Sequence, residues 1–449
     1  MPSHSSRRDF LQRAAAGTAM CLAPSVLAAD GAPPAEGESR QNASVPSLPP
    51  APAGPLDAVA RDEPYWEAVA RQYPVTEAVI NFEAGYFGMM AAPVLAAYHA
   101  HLDRVNRESS FFARRAFPPL MQAARQRLAA FVGVKPTELL LSRNATEALQ
   151  AIIGQYRRVG PGDVVMYADL DYNAMQWAMN ALAARTGARV VTLDIPEPAS
   201  QEAIMAAYMA ALDREPRTKL LLLTHCNNKT GLIHPVKAIA DLARARGVDT
   251  VVDAAHSFGQ VPLTVADLGA DFVGLNVHKW LGAPVGVGAM IIREEKLDRI
   301  DRAHADESAP MTRIESRLHT GTTNFATVLT IPDALDFQQQ LGIERKAARL
   351  RYLRDRWVHA VRDLPGVQVL TPEDPALVGA ITGFRLHGRG TPAANAALTR
   401  TLLDEFGIFT FQRTGIAKGD CVRVTPTLYN RPADCDRLAE AIRAIAARG

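Results

Sequence analysis

Short apolar runs with no polar alternation recur through the middle of the chain, and between them lie stretches whose apolar positions return at helical spacing. The first run covers 139–141, and a helical stretch over 145–156 follows it. The turn Gly160-Pro161-Gly162-Asp163 leads into a strand at 164–167, a helix over 174–185, a strand at 189–193 and a helix over 201–212. The most apolar strand covers 219–224. After a helix over 236–246 come strands at 250–253 and 287–292. Runs that stay apolar at every position belong to strands buried on both faces. Strands alternating with helices then predict an α/β fold, a mostly parallel sheet between helix layers. Such sheets take their ligands at the carboxyl ends of the strands.

After residue 331 the pattern changes. A helix-like stretch over 333–341, a long polar helix over 344–361 and an apolar run at 367–370 predict a second, smaller α/β domain. The expected layout is an N-terminal segment over 57–90, a large domain over 91–330 and a small C-terminal domain over 331–449.

The start of the chain follows neither pattern. Arg7-Arg8-Asp9-Phe10-Leu11, an apolar run over 14–27 and the small residues of Val26-Leu27-Ala28 predict a twin-arginine export signal over 1–29. The same features are compatible with an ordinary secretion signal or an uncleaved anchor. Residues 30–56 are rich in Pro, Ala, Gly and Ser and predict a flexible linker. The expected location is periplasmic or secreted, with the twin-arginine machinery as a partner.

Composition narrows this picture only a little. Of 449 residues, 48% are hydrophobic and 21% charged, enough for a large core, and a net charge of +2 gives no reason to expect nucleic acid. Of the four cysteines, Cys21 falls in the expected signal; the other three, an odd number, do not predict a disulfide scaffold.

Four strand ends carry polar residues out of place. Ser142-Arg143-Asn144-Ala145-Thr146-Glu147 opens a helix; it reads as a plain cap or as a phosphate cradle. Asp253 ends an apolar strand, where a carboxylate needs a partner: a local amide, or a protonated ring nitrogen. Lys279, in Asn276-Val277-His278-Lys279-Trp280, stands after an apolar stretch and before glycines. It reads as an ordinary snorkelling lysine or as a desolvated, nucleophilic amine able to form a Schiff base. His225-Cys226-Asn227-Asn228 offers two amides, as a turn or as donors to a phenolic oxygen.

Taken in order, these motifs resemble the class V aminotransferase family of fold-type I pyridoxal-phosphate enzymes, over roughly 62–448. Asn81-Phe82-Glu83-Ala84-Gly85-Tyr86, Phe111-Phe112, His278-Lys279-Trp280 and Gly321-Thr322 are similar to the isopenicillin N epimerase-like branch. A further likeness is to the exported enzymes that tailor pyoverdine siderophores. The resemblance implies pyridoxal 5′-phosphate as cofactor, held by Lys279 and acting on an amino acid. It gives Asp253 the ring nitrogen, with His256 and Asn228 beside the ring oxygen and Tyr172 stacked on the ring. Ala145 through its N–H, Thr146 and His278 would hold the phosphate. Asn276 stands where many relatives have a phosphate-binding Ser. Thr322 would reach the partner subunit's phosphate, which implies a homodimer. Arg423, in Cys421-Val422-Arg423-Val424, resembles the family's carboxylate-binding residue, and Arg413 is a second candidate; a surface or local ion pair is the alternative for each.

Lys279, Asp253 and His256 are thus the expected catalytic residues. Cysteine desulfurases of the family use a nucleophilic Cys in the stretch matching 413–420, which here has none, and Cys421 is expected to be buried packing. Aminotransfer or epimerisation at Cα of an amino acid, peptide or siderophore-type substrate is the reading that follows. A C–S or β-elimination lyase, and a binding protein that keeps the pocket without turnover, are the alternatives.

Overall fold

The computed structural model describes residues 48–448; the expected export signal, and the expected linker up to residue 47, lie outside the described residues. In chain order the strands are β1 (Ile80–Asn81), β2 (Leu139–Ser142), β3 (Val164–Ala168), β4 (Arg189–Leu193), β5 (Thr218–Thr224), β6 (Asp249–Asp253), β7 (Phe272–Asn276), β8 (Gly288–Ile292), β9 (Val367–Val369), β10 (Thr382–Leu386), β11 (Ile408–Phe409), β12 (Phe411–Arg413) and β13 (Cys421–Val424). The main sheet has seven strands in the order β2-β8-β7-β6-β5-β3-β4. β7, β6, β5, β3 and β4 pair parallel, while β8 runs antiparallel to both β7 and β2. The fold is therefore the expected one, a mostly parallel sheet between helices.

Why the strands read as unbroken apolar runs is visible in their two faces. Leu220, Leu222, Val251, Phe272 and Met290 enter a core closed by the helices Ala145–Gly154 and Asn173–Thr186. Their neighbours Leu221, Leu223, Val252, Val273 and Ile291 enter a larger core on the other face, under Phe117–Val132, Gln201–Arg214 and Val236–Arg244. Each fully buried Leu, Val or Phe stabilises the sheet by about 1.5–3 kcal/mol, so no position can turn polar cheaply. β7 is not singled out by the sequence pattern, because Gly274 interrupts its run and Asn276 ends it. In the fold all five of its residues are buried between β6 and β8.

A second sheet, in the order β12-β13-β10-β9, is antiparallel throughout. The helices Ile343–Val361 and Pro432–Ala446 cover it with Leu353, Trp357, Val358, Leu438 and Ile442, packed against Phe384, Val422 and Val424. The N-terminal segment belongs to this core. β1 pairs parallel with β11, Phe82 is fully buried among the same side chains, and Arg349 holds the Ala60 carbonyl at 3.0 Å and Glu63 at 2.5 Å. Residues 80–88 then run from this pairing to the carboxyl ends of the main sheet, where Gly88 N–H donates to the His278 carbonyl at 2.8 Å.

Candidate functional site

The carboxyl ends of β2, β3, β5, β6 and β7 converge on a pocket of about 370 Å³. Every site residue expected from the sequence lines it except Thr322, which is exposed and outside it. A larger groove, about 600 Å³, lies by Arg61 and Arg351 and is lined by mixed charges.

Lys279 follows β7 by three residues, and its Nζ lies 3.0 Å from His256 Nε2. The indole N–H of Trp280 donates to the other ring nitrogen, Nδ1, at 3.2 Å. An indole can only donate, so Nδ1 carries the lone pair and Nε2 carries the proton of a neutral imidazole. That proton points at Lys279, whose amine accepts it only when uncharged. Electrostatics lower the pKa of both groups. Burial, together with the Lys279, Arg423 and Arg413 cations, holds His256 well below the usual histidine range. Burial lowers Lys279 to about 8, against the opposing pull of Asp253.

Asp253 ends β6, is 5% exposed, and takes the Ala255 N–H on Oδ1 at 2.9 Å. Burial raises its pKa, and the amide and Lys279 only partly offset this. A buried carboxyl with one weak neutral donor is the environment that a protonated ring nitrogen would complete. Asn228 also fits: its side-chain oxygen is buried with no partner among the described residues, so its amide is free to turn toward a ring oxygen. The adjacent Asn227 is structural, accepting from Lys229 N and Thr230 N at 2.8 and 2.9 Å. Tyr172, just before the helix Asn173–Thr186, is 40% exposed at the mouth.

At the phosphate end the cap reading of the first motif is seen directly. Asn144 caps the helix through Glu147 N–H at 2.8 Å. Ala145 departs from expectation: its N–H is not open but donates to Asn276 Oδ1 at 2.8 Å. The longer Asn side chain reaches across from β7 to the helix end, where a Ser would stop short. Thr146 and the Asn276 NH₂ group remain to face a phosphate. His278 donates from Nδ1 to the Val287 carbonyl at 2.8 Å, which fixes its ring. Burial lowers its pKa, and a phosphate beside Nε2 would restore the proton.

Arg423 and Arg413 reach the pocket from β13 and β12, and both hold Glu83. The ion-pair alternative therefore describes their arrangement here. Glu83 was not among the expected site residues, although it lies in a quoted motif; nothing in the local pattern says which way a single Glu in a loop points. Lys346 was also missed. It is 3% exposed and donates to the Trp280 carbonyl at 2.5 Å and to Gln338 Oε1 at 2.8 Å, bracing the residue after Lys279. Its sequence signal was a lysine on the apolar face of a helix.

Known proteins share the sequence pattern and the fold. The family model for class-V aminotransferases matches residues 91–438. Isopenicillin N epimerase of Streptomyces clavuligerus is 32% identical over 406 residues, covering 85% of this chain and 98% of that protein. A putative L-cysteine desulfhydrase of Oryza sativa subsp. japonica is 28% identical over 408 residues, 83% of this chain and 84% of its own. The cysteine desulfurase of Thermococcus onnurineus NA1 shares the fold with a TM-score of 0.72 at 20% identity, covering 85% of this chain and 98% of that one. The chain belongs to the class-V aminotransferases, in the branch similar to the isopenicillin N epimerases, and its cofactor is pyridoxal 5′-phosphate.

Proposed function

We infer that the protein is an exported enzyme that works at Cα of an amino acid, or of an amino-acid residue in a peptide or siderophore-type metabolite, by aminotransfer or epimerisation. The observation that carries this is the buried Lys279 amine, held against a His256 ring that Trp280 orients, beside buried Asp253 and across the pocket from two arginines. When bound, the cofactor supplies a sink for the electron pair left at Cα. Asp253 would hold the ring nitrogen of the bound cofactor and keep its proton in place. Lys279 would hold the cofactor, and its amine would take the Cα proton and return it. Arg413, whose Nε has no partner among the described residues, fixes the carboxylate, and with it the bond at Cα that is open to attack.

Sulfur transfer to an enzyme thiol does not suit this site. Residues 413–420 contain no Cys, and burial pushes the Cys226 and Cys421 thiols up to about 12. A C–S or β-elimination lyase stands as the second reading, because it needs the same residues and no thiol; the desulfhydrase relative favours it. Export through the Arg7-Arg8 signal, and a homodimer in which Thr322 serves the partner's phosphate, complete the proposal. The exposure of Thr322, outside its own pocket, supports the latter.

The test is to incubate the purified holoenzyme in D₂O with a periplasmic metabolite extract and identify what changes by mass. Aminotransfer exchanges an amine for a carbonyl, epimerisation adds deuterium at Cα with inversion, and elimination releases the side-chain fragment. Absence of any change at Cα in any component would overturn the reading.

A further inference from the structure

A carboxylate from the chain itself occupies the arginines expected to bind substrate. Glu83 Oε1 accepts from Arg423 Nη2 at 2.5 Å and from Arg413 Nη2, and Oε2 accepts from Arg423 Nε at 3.3 Å. Arg423 Nη1 goes to the Asn228 carbonyl at 2.8 Å. All three nitrogens of Arg423 therefore have acceptors already, and its side chain is 2% exposed. Arg413 differs. Its Nε is buried with no partner among the described residues, and 18% of its side chain is open.

Glu83 is built into this position. Its N–H donates to Asn81 Oδ1 at 2.8 Å, and it forms a parallel bridge with Thr425, beyond the end of β13. The preceding Phe82 is fully buried, and its carbonyl accepts from Thr425 N–H at 2.7 Å. At Gly85 a Cβ would lie 2.8 Å from Arg423 Cζ, so only glycine lets this segment press against the guanidinium. Its backbone held on both sides, Glu83 is a fixed carboxylate behind Arg413 and Arg423, which line the pocket. Two guanidinium groups and one carboxylate leave a single positive charge for a substrate. A second substrate carboxylate would find Arg423 already filled, with the negative charge of Glu83 behind it.

We propose that Glu83 sets the charge of the substrate: it fills Arg423 from within, leaves Arg413 to take one carboxylate, and selects amino acids with a neutral side chain or with a distal carboxylate blocked as an amide. This rests on the reading that substrate binds beside Lys279.

The test uses butyrate and glutarate as probes, titrated calorimetrically into the holoenzyme. Wild type should bind the two comparably. Glu83→Gln, which keeps an acceptor oxygen but removes the charge, should gain roughly tenfold for glutarate while butyrate stays near its wild-type value. Arg413→Gln should lose roughly tenfold for both probes. An inherent tenfold preference of the wild type for glutarate, no binding of butyrate to it, unchanged selectivity in Glu83→Gln, or wild-type butyrate binding by Arg413→Gln would each overturn the proposal. Should Glu83→Gln fail to fold, the wild-type ratio and Arg413→Gln still decide. The visible absorbance of the Lys279-held cofactor is read on the same samples. Its absence would count against the functional reading, whereas the heats measure the carboxylates alone.

Discussion

The amine of Lys279 should titrate near pH 8, and this can be read without a substrate. Burial moves it down from 10.5 to about 8; Asp253 pulls it up, and Arg423 and Arg413 push it down. At pH 7 about a tenth of the molecules then carry the neutral amine, against roughly one in three thousand for an ordinary lysine, a gain of roughly 300-fold in nucleophile. The assay mixes apoprotein with pyridoxal 5′-phosphate and follows cofactor capture by stopped flow across the pH range, with butylamine as the reference for the cofactor's own ionisations. The rate should climb about tenfold per pH unit and level off above about 8. Two variants test the cause by sign. Asp253→Asn removes the group that raises the amine and should move the midpoint down. Arg413→Gln removes one that lowers it and should move the midpoint up. The same shift has a stability signature. The folded value lies below the unfolded one, so between about 8 and 10.5 the unfolded chain keeps a proton that the folded chain has lost. Stability should rise with pH through that window, by at most about 3 kcal/mol since the pocket admits water, and this contribution should be flat below it. A capture midpoint near 10.5, or variants that shift it in the same direction, would refute the reasoning.

Lys279→Ala should lose the covalently held cofactor and all turnover while the fold survives, and borohydride reduction with peptide mapping should place the label of the wild type on Lys279 alone. At Gly88 a Cβ would fall 1.7 Å from the Lys279 carbonyl oxygen. Gly88→Ala must therefore move backbone; about 1–3 kcal/mol of stability should go in urea denaturation, with cofactor capture slowed as well. Changing Arg7 and Arg8 to lysine should leave the precursor in the cytoplasm, as followed by fractionation, whereas normal secretion would point to another route.

The main sheet was legible because burial on both faces writes itself into every position of a strand, as in 219–224. β7 was not, because Gly274 and Asn276 look like a loop and become a strand only when β6 and β8 supply the pairing. The place of the candidate site was legible for a related reason: Asp253 and Lys279 are polar residues at the ends of apolar runs, and the fold brings both to one pocket. Glu83 and Lys346 carry no such mark. Glu83 meets Arg423 across 340 positions of the chain, and Lys346 reaches the Trp280 carbonyl across 66, so only the tertiary fold reveals their partners. Ala145 shows a smaller failure of the same kind. Which acceptor takes its N–H depends on the length of the side chain at 276, a matter of reach that spacing along the sequence does not encode.

The pairing of residues 80–83 with β11 and with Thr425 has a consequence for how the protein is made. Glu83 leaves the ribosome early, Lys279 midway, and Arg413 and Arg423 late. No partly synthesised chain can hold the completed pocket, because its N-terminal wall must wait for strands made hundreds of residues afterwards. The completed pocket is therefore open to the cofactor only in a finished chain. Were the proposed export to carry the cofactor along, the order would be set: finish the chain, close the pocket, load it, and only then travel.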